Sequence, residues 1–138
     1  FSVPLNLYII GMMNTADRSL ALLDYALRRR FSFFEVQPAF QNETFKSYVN
    51  KLNNPDAFNR VIDEIKSLNH QIVEELGTGF QIGHSYFVGD AYKVDTVNRI
   101  EEVIEYEIIP QLFEYWFDDE QKANDWAERL RGCYDGEK

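Results

Sequence analysis

Cysteine occurs once, at Cys133, so no disulfide framework holds this chain together. No apolar run approaches the ~20 residues needed to span a bilayer. The opening residues, Phe1-Ser2-Val3-Pro4-Leu5-Asn6, lack the basic stretch and long apolar core of a secretory signal. A reducing, cytoplasmic setting without a membrane partner is therefore the expectation. The chain has no Gly-x-x-x-x-Gly-Lys-Ser/Thr phosphate loop and no Gly-x-Gly-x-x-Gly turn. It also lacks Cys-x-x-Cys and His-x-x-x-His, and its two histidines, His70 and His84, stand far apart with no cysteine nearby. No metal site is expected from such a set. No nucleophile–base pair can be placed either, so an independent hydrolase has no supporting constellation.

Basic charge is scarce as well. Fourteen Lys and Arg face 23 Asp and Glu, a net charge of −9 over 138 residues. The deficit is uneven: residues 1–40 carry a net +1 and residues 41–138 a net −10. An acidic surface of that strength repels a phosphate backbone, which argues against direct nucleic-acid binding by the second part. Hydrophobic residues make up 45% and aromatics 15%, too much for a disordered acidic tail. The chain is long enough for one proper core.

Residues 7–13 form a short apolar run with aromatic and β-branched members, the pattern of a buried strand. A polar turn, Asn14-Thr15-Ala16-Asp17, follows. A helix is expected from about residue 19 to 29, with Leu20, Leu23 and Leu27 on one face and an Asp24/Arg28 pair at i, i+4. Residues 31–36 read as a second strand, closed by Pro38. After that the pattern turns helical. A modest helix covers about 42–52. Asn54-Pro55-Asp56 is a strong helix start, with a side-chain cap and proline at the first position. The helix runs with a 3.6-residue period to Leu76 and ends at Gly77. Phe80 and Ile82 alternate as in a short strand. Another helix begins near Asp95, Pro110 kinks it or starts a new one, and a last helix begins near Asp119. Phe113, Trp116 and Trp126 are core candidates. The reading is an α/β piece, residues 1–40 (strand, helix, strand), followed by a mostly helical part, residues 41–138.

Three blocks carry a family resemblance. The first runs from Tyr8-Ile9-Ile10-Gly11-Met12-Met13-Asn14 through Thr15-Ala16-Asp17-Arg18-Ser19 to Leu23-Asp24-Tyr25-Ala26-Leu27-Arg28-Arg29-Arg30-Phe31. The second is Gly79-Phe80-Gln81-Ile82-Gly83-His84-Ser85-Tyr86-Phe87, and the third is Phe117-Asp118-Asp119. Together they resemble the AAA+ P-loop NTPase module of McrB-type GTPases, motor subunits of modification-dependent restriction systems.

The resemblance implies that the chain is the C-terminal portion of such a module, with residues 41–138 as its helical lid. It matches Asn14 to sensor 1, an amide that orients the attacking water without changing charge. It matches Arg29 and Arg30 to the arginine finger, which acts on the neighbouring subunit's nucleotide. Asp17, Arg18, Asp24 and Arg28 fall in the same patch, and His84 and Ser85 lie where the lid approaches nucleotide. Where the family often has arginine, Gln81 is neutral, which speaks against a charged lid contact there. The implied cofactors, GTP and Mg²⁺, belong to a full-length parent, because the phosphate loop lies outside this chain. The implied partners are further copies in a ring, an McrC-like nuclease subunit, and modified DNA held by a domain outside this chain.

Without the central strand of such a sheet, residues 7–13 and 31–36 would pair with each other, pair across chains or sit with bare edges, so a non-native dimer or altered packing of residues 1–40 is expected. Two other readings stay open. One is the lid of another AAA+ ATPase, MoxR- or dynein-like. The other is a non-enzymatic acidic helical module that docks a basic partner, with Arg28–Arg30 merely a solvated helix end.

Overall fold

The computed structural model of the chain describes residues 4–12 and 29–135. The chain divides into two compact units, Phe1–Phe33 and Phe34–Lys138. In the first unit a turn closes from Leu7 N–H to the Pro4 carbonyl at 3.3 Å. Beyond it, Tyr8, Ile9, Ile10 and Met12 are exposed. The helix expected at 19–29, and with it Asn14, Asp17, Arg18, Asp24 and Arg28, lies at 13–28 outside the described residues, apart from Arg29. Of the two strands expected at 7–13 and 31–36, the described residues 7–12 and 31–36 are in no ladder, and no strand occurs among the described residues. A strand exists only as half of a ladder, and no backbone among those residues offers either segment its other half.

The second unit is helical, and side-chain caps set its boundaries. Helix α1, Glu43–Val49, starts at Asn42, whose side chain accepts the Thr44 N–H. Helix α2, Pro55–Glu75, starts at Asn54, which accepts the Ala57 N–H, with proline where no N–H is needed. Its buried stripe of Phe58, Val61, Ile62, Ile65, Leu68 and Ile72 is the spine of the core. Gly77 takes φ +102°, a left-handed conformation suited to glycine, and its N–H reaches back to the Ile72 and Val73 carbonyls.

The alternation of Phe80 and Ile82 belongs to no strand. Residues Thr78–Phe80 and His84–Phe87 form two short 3₁₀ turns, with Ile82 buried between them. Helix α3, Ala91–Val94, is a single turn that buries only Tyr92. Helix α4, Thr96–Val103, is capped by Asp95. It runs through a π turn, Ile104–Ile108, into α5, Ile109–Tyr115. Pro110 accounts for the wide turn: in a regular helix its ring would clash with the carbonyl four residues back, that of Tyr106. Helix α6, Glu120–Gly132, is capped by Asp119.

Helix α2 packs against α4 and α6. Phe58 meets Tyr92 and Phe87 edge to face at the centre, with ring centroids 5.5 and 6.3 Å away. Polar ties close the rim. Trp126 and Trp116, on or beside α6, donate their indole N–H groups to Gln71 and Glu75 of α2 at 3.0 and 2.8 Å. Arg129 lies 3.9 Å over the Trp126 ring and 2.6 Å from Glu64. Arg131 forks onto both oxygens of Glu105 in the π turn at 2.6 and 2.7 Å, and Tyr134 adds a third donor at 3.0 Å. No helix among the described residues is long and apolar enough to cross a membrane.

The donated Arg131 hydrogen bonds, with the Tyr134 hydroxyl adding to them against the opposing effect of burial, hold the Glu105 carboxyl below its ordinary value of 4.5. A lowered folded-state value stabilises the fold above pH 4.5, and this contribution drains away as pH falls through that lowered value. Glu105→Gln should therefore cost about 1 kcal/mol at pH 7, a modest figure because the pair is partly solvated. Urea unfolding at pH 7 and pH 3 should show the gap between Glu105→Gln and wild type closing at the acid end.

Candidate functional site

The segment from Gly77 to Gly89 leaves the surface of α2 and runs between helices without joining a sheet. Its buried peptide groups still need partners, because an unpaired N–H or C=O away from water is costly. Side chains supply them. Asn69, on α2 and only 5% exposed, donates from Nδ2 to the Ile82 carbonyl at 2.9 Å and accepts the Ile82 N–H on Oδ1 at 2.6 Å. An amide side chain is suited to this, since it carries a donor and an acceptor side by side, as a neighbouring strand would.

Three tyrosine hydroxyls reach further backbone groups of the segment, of which Gly89 is exposed. Tyr115 of α5 donates to the Phe80 carbonyl at 2.9 Å, and Tyr92 of α3 to the Tyr86 carbonyl at 2.8 Å. The Tyr48 hydroxyl of α1 both donates to the Gly89 carbonyl and accepts its N–H, at 2.8 and 3.1 Å. Burial pushes all three phenols above their ordinary value of 10, so they remain donors throughout the physiological range. Four helices thus grip one loop.

The loop carries His84 and Ser85. His84 is half-buried, and its Nδ1 accepts the Ala39 N–H at 3.1 Å. Its ring stands edge-on to Phe40 and Phe45 at 6.3 and 6.2 Å. Ser85 is exposed. Beside the loop lies a shallow cleft of about 420 Å³ whose lining includes the apolar Pro38, Phe40 and Val73, the amides Gln37, Gln41, Asn69 and Gln81, and the ionisable Lys66, His70 and Glu74. Among the described residues no group of three or more His, Cys, Asp or Glu could hold a metal ion.

Of the residues picked out by sequence, Arg29 and Arg30 are exposed at a turn in the first unit, while His84 and Ser85 belong to the second. Asn69, Tyr48, Tyr92 and Tyr115 escaped the sequence reading. Asn69 did leave a trace: it occupies the buried side of α2, between Leu68 and Ile72, where a polar residue needs a partner.

Residues 60–124 match the family model described as McrB, alpha-helical lid domain. That stretch takes in most of α2, the gripped loop, α4, the π turn and α5. The chain is also 45% identical, over 96% of its length, to the Type IV methyl-directed restriction enzyme EcoKMcrB subunit of Escherichia coli K12, and it spans 30% of that protein.

Removing the Asn69 amide leaves both Ile82 backbone groups buried without partners. Asn69→Ala should cost about 3 kcal/mol in urea unfolding. Asn69→Asp should also destabilise, because it loses the donor and sets a carboxylate against the Ile82 carbonyl. A change within about 0.5 kcal/mol for both, the range of an ordinary surface substitution, would contradict this role.

Proposed function

We propose that the chain, which matches an McrB alpha-helical lid over residues 60–124, serves in a nucleotide-hydrolysing motor subunit of a modification-dependent restriction system. The observation that carries this reading is the 45% identity, which extends over 96% of the chain and so includes the arginine-bearing block as well as the lid.

In this reading residues 41–138 are the lid of an AAA+ module, and their movement couples nucleotide state to subunit geometry. Asn14 orients the attacking water. Arg29 and Arg30 reach the nucleotide of an adjacent copy in a ring, where a guanidinium fork offsets charge developing on the transferred phosphoryl group. Asp17, Arg18, Asp24 and Arg28 support that interface, while His84 and Ser85 lie on the lid side of the nucleotide. The nucleotide is GTP with Mg²⁺. The phosphate loop that would hold them is absent from these 138 residues, so this stretch alone neither binds nor turns over nucleotide at useful strength. An McrC-like nuclease subunit cuts the DNA, and a domain outside this stretch recognises its modification.

The test uses the full-length protein. GTP should be hydrolysed in preference to ATP. Arg29→Ala or Arg30→Ala should lower turnover by about 10³-fold, the scale of a lost arginine finger, without lowering Tm. Unchanged turnover in both variants would remove the finger assignment and favour an acidic helical module that docks a partner.

A further inference from the structure

We infer that His84 is a positioning residue: it latches the backbone at Ala39 to the gripped loop, so that the rigid body of the lid begins at Pro38. This rests on the motor reading above and adds where lid movement enters the chain. Two kinds of contact converge on the imidazole. Its Nδ1 accepts the Ala39 N–H across a sequence separation of 45 residues. Its ring is held edge-on by Phe40 and Phe45, which are 6% and 7% exposed.

The loop end of the latch is itself immobilised. His84 lies between Ile82, clamped by Asn69, and Tyr86, whose carbonyl is taken by Tyr92. Force applied to α2 or α3 therefore reaches Ala39 through two hydrogen-bonded steps and a ring contact. Just upstream the character changes. Phe34 and Val36 are 89% and 91% exposed, and Gln37 is exposed as well. Pro38 fixes its own φ and restricts Gln37 to extended geometry. Residues 34–37 are thus the pivot, and His84 decides that the pivot ends at Pro38 rather than running on into α1.

A latch and a nucleotide ligand predict different kinetics. In the full-length protein, His84→Ala should lower kcat for GTP by about tenfold or more while KM stays within about threefold. Hydrogen exchange of the peptide covering 38–42 should speed up in the same variant. His84→Asn places an amide oxygen near the position of Nδ1. It should restore both the slow exchange and kcat, and it keeps the test open should His84→Ala fold poorly. A raised KM with kcat retained would overturn the latch in favour of direct nucleotide contact. So would unchanged exchange at 38–42, or a kcat loss that His84→Asn does not repair. Absence of GTP turnover in the wild type would sink the motor reading instead, and the exchange measurement would still decide whether the latch exists.

Discussion

The organisation of this helical unit depends on one constraint: the loop that carries His84 and Ser85 crosses it without a strand to pair with. Backbone groups of Ile82, Gly89, Tyr86 and Phe80 are taken by Asn69, Tyr48, Tyr92 and Tyr115, drawn from α2, α1, α3 and α5. The Tyr92 ring belongs to the core, and the Tyr48 and Tyr115 rings pack against it. Tyrosine suits the task because its ring contributes burial while its hydroxyl reaches a carbonyl. Several of the chain's eight tyrosines are thereby explained as backbone partners rather than as simple filling.

Electrostatics works at the rim and not at the centre. The pairs of Arg131 with Glu105, Lys122 with Glu75, and Arg129 with Glu64 join elements distant in sequence, and all retain some solvent. Their individual worth is modest. Their placement is informative, however: each ties α6 or its end to α2 or the π turn, so the last helix closes over the core as a strap. The π turn is exposed at Tyr106 yet held by Glu105 on one side and by the Arg99–Glu107 contact on the other. A widened turn forced by Pro110 is thus kept in one register.

Helix beginnings were legible in the residues because caps are local chemistry: Asn42, Asn54, Asp95 and Asp119 each accept a backbone N–H of the helix that follows. The end of α2 at Gly77 was legible for the same reason. The short turn α3 was not, since four residues are too few to show a period. Nor was the wide turn before Pro110, where the proline signalled an interruption but not its kind. The apparent strand at 80–82 misled because alternation of burial can come from any extended segment lying between helices. At 7–12 and 31–36 the difference is of another kind: an apolar, β-branched run states a preference, and a ladder needs a partner that the run itself cannot name. Within the site, Gly83-His84-Ser85 stood out by resemblance. Its anchor Asn69 stood out only as a polar residue on a buried face, a signal that says a partner exists without saying which.

The family match and the geometry meet in the gripped loop. The McrB-type lid match covers it, and the helices around it spend their polar side chains on holding it still. The most direct test of that account is native-state hydrogen exchange of the Ile82 amide in urea below the unfolding midpoint. If the loop is part of the lid's rigid body, Ile82 exchanges only with global unfolding, with the same free energy and denaturant dependence as Ile65 and Leu68 in α2. Exchange of Ile82 through a small, denaturant-independent opening, with α2 still fully protected, would show that the loop moves on its own and that the clamp does not hold it.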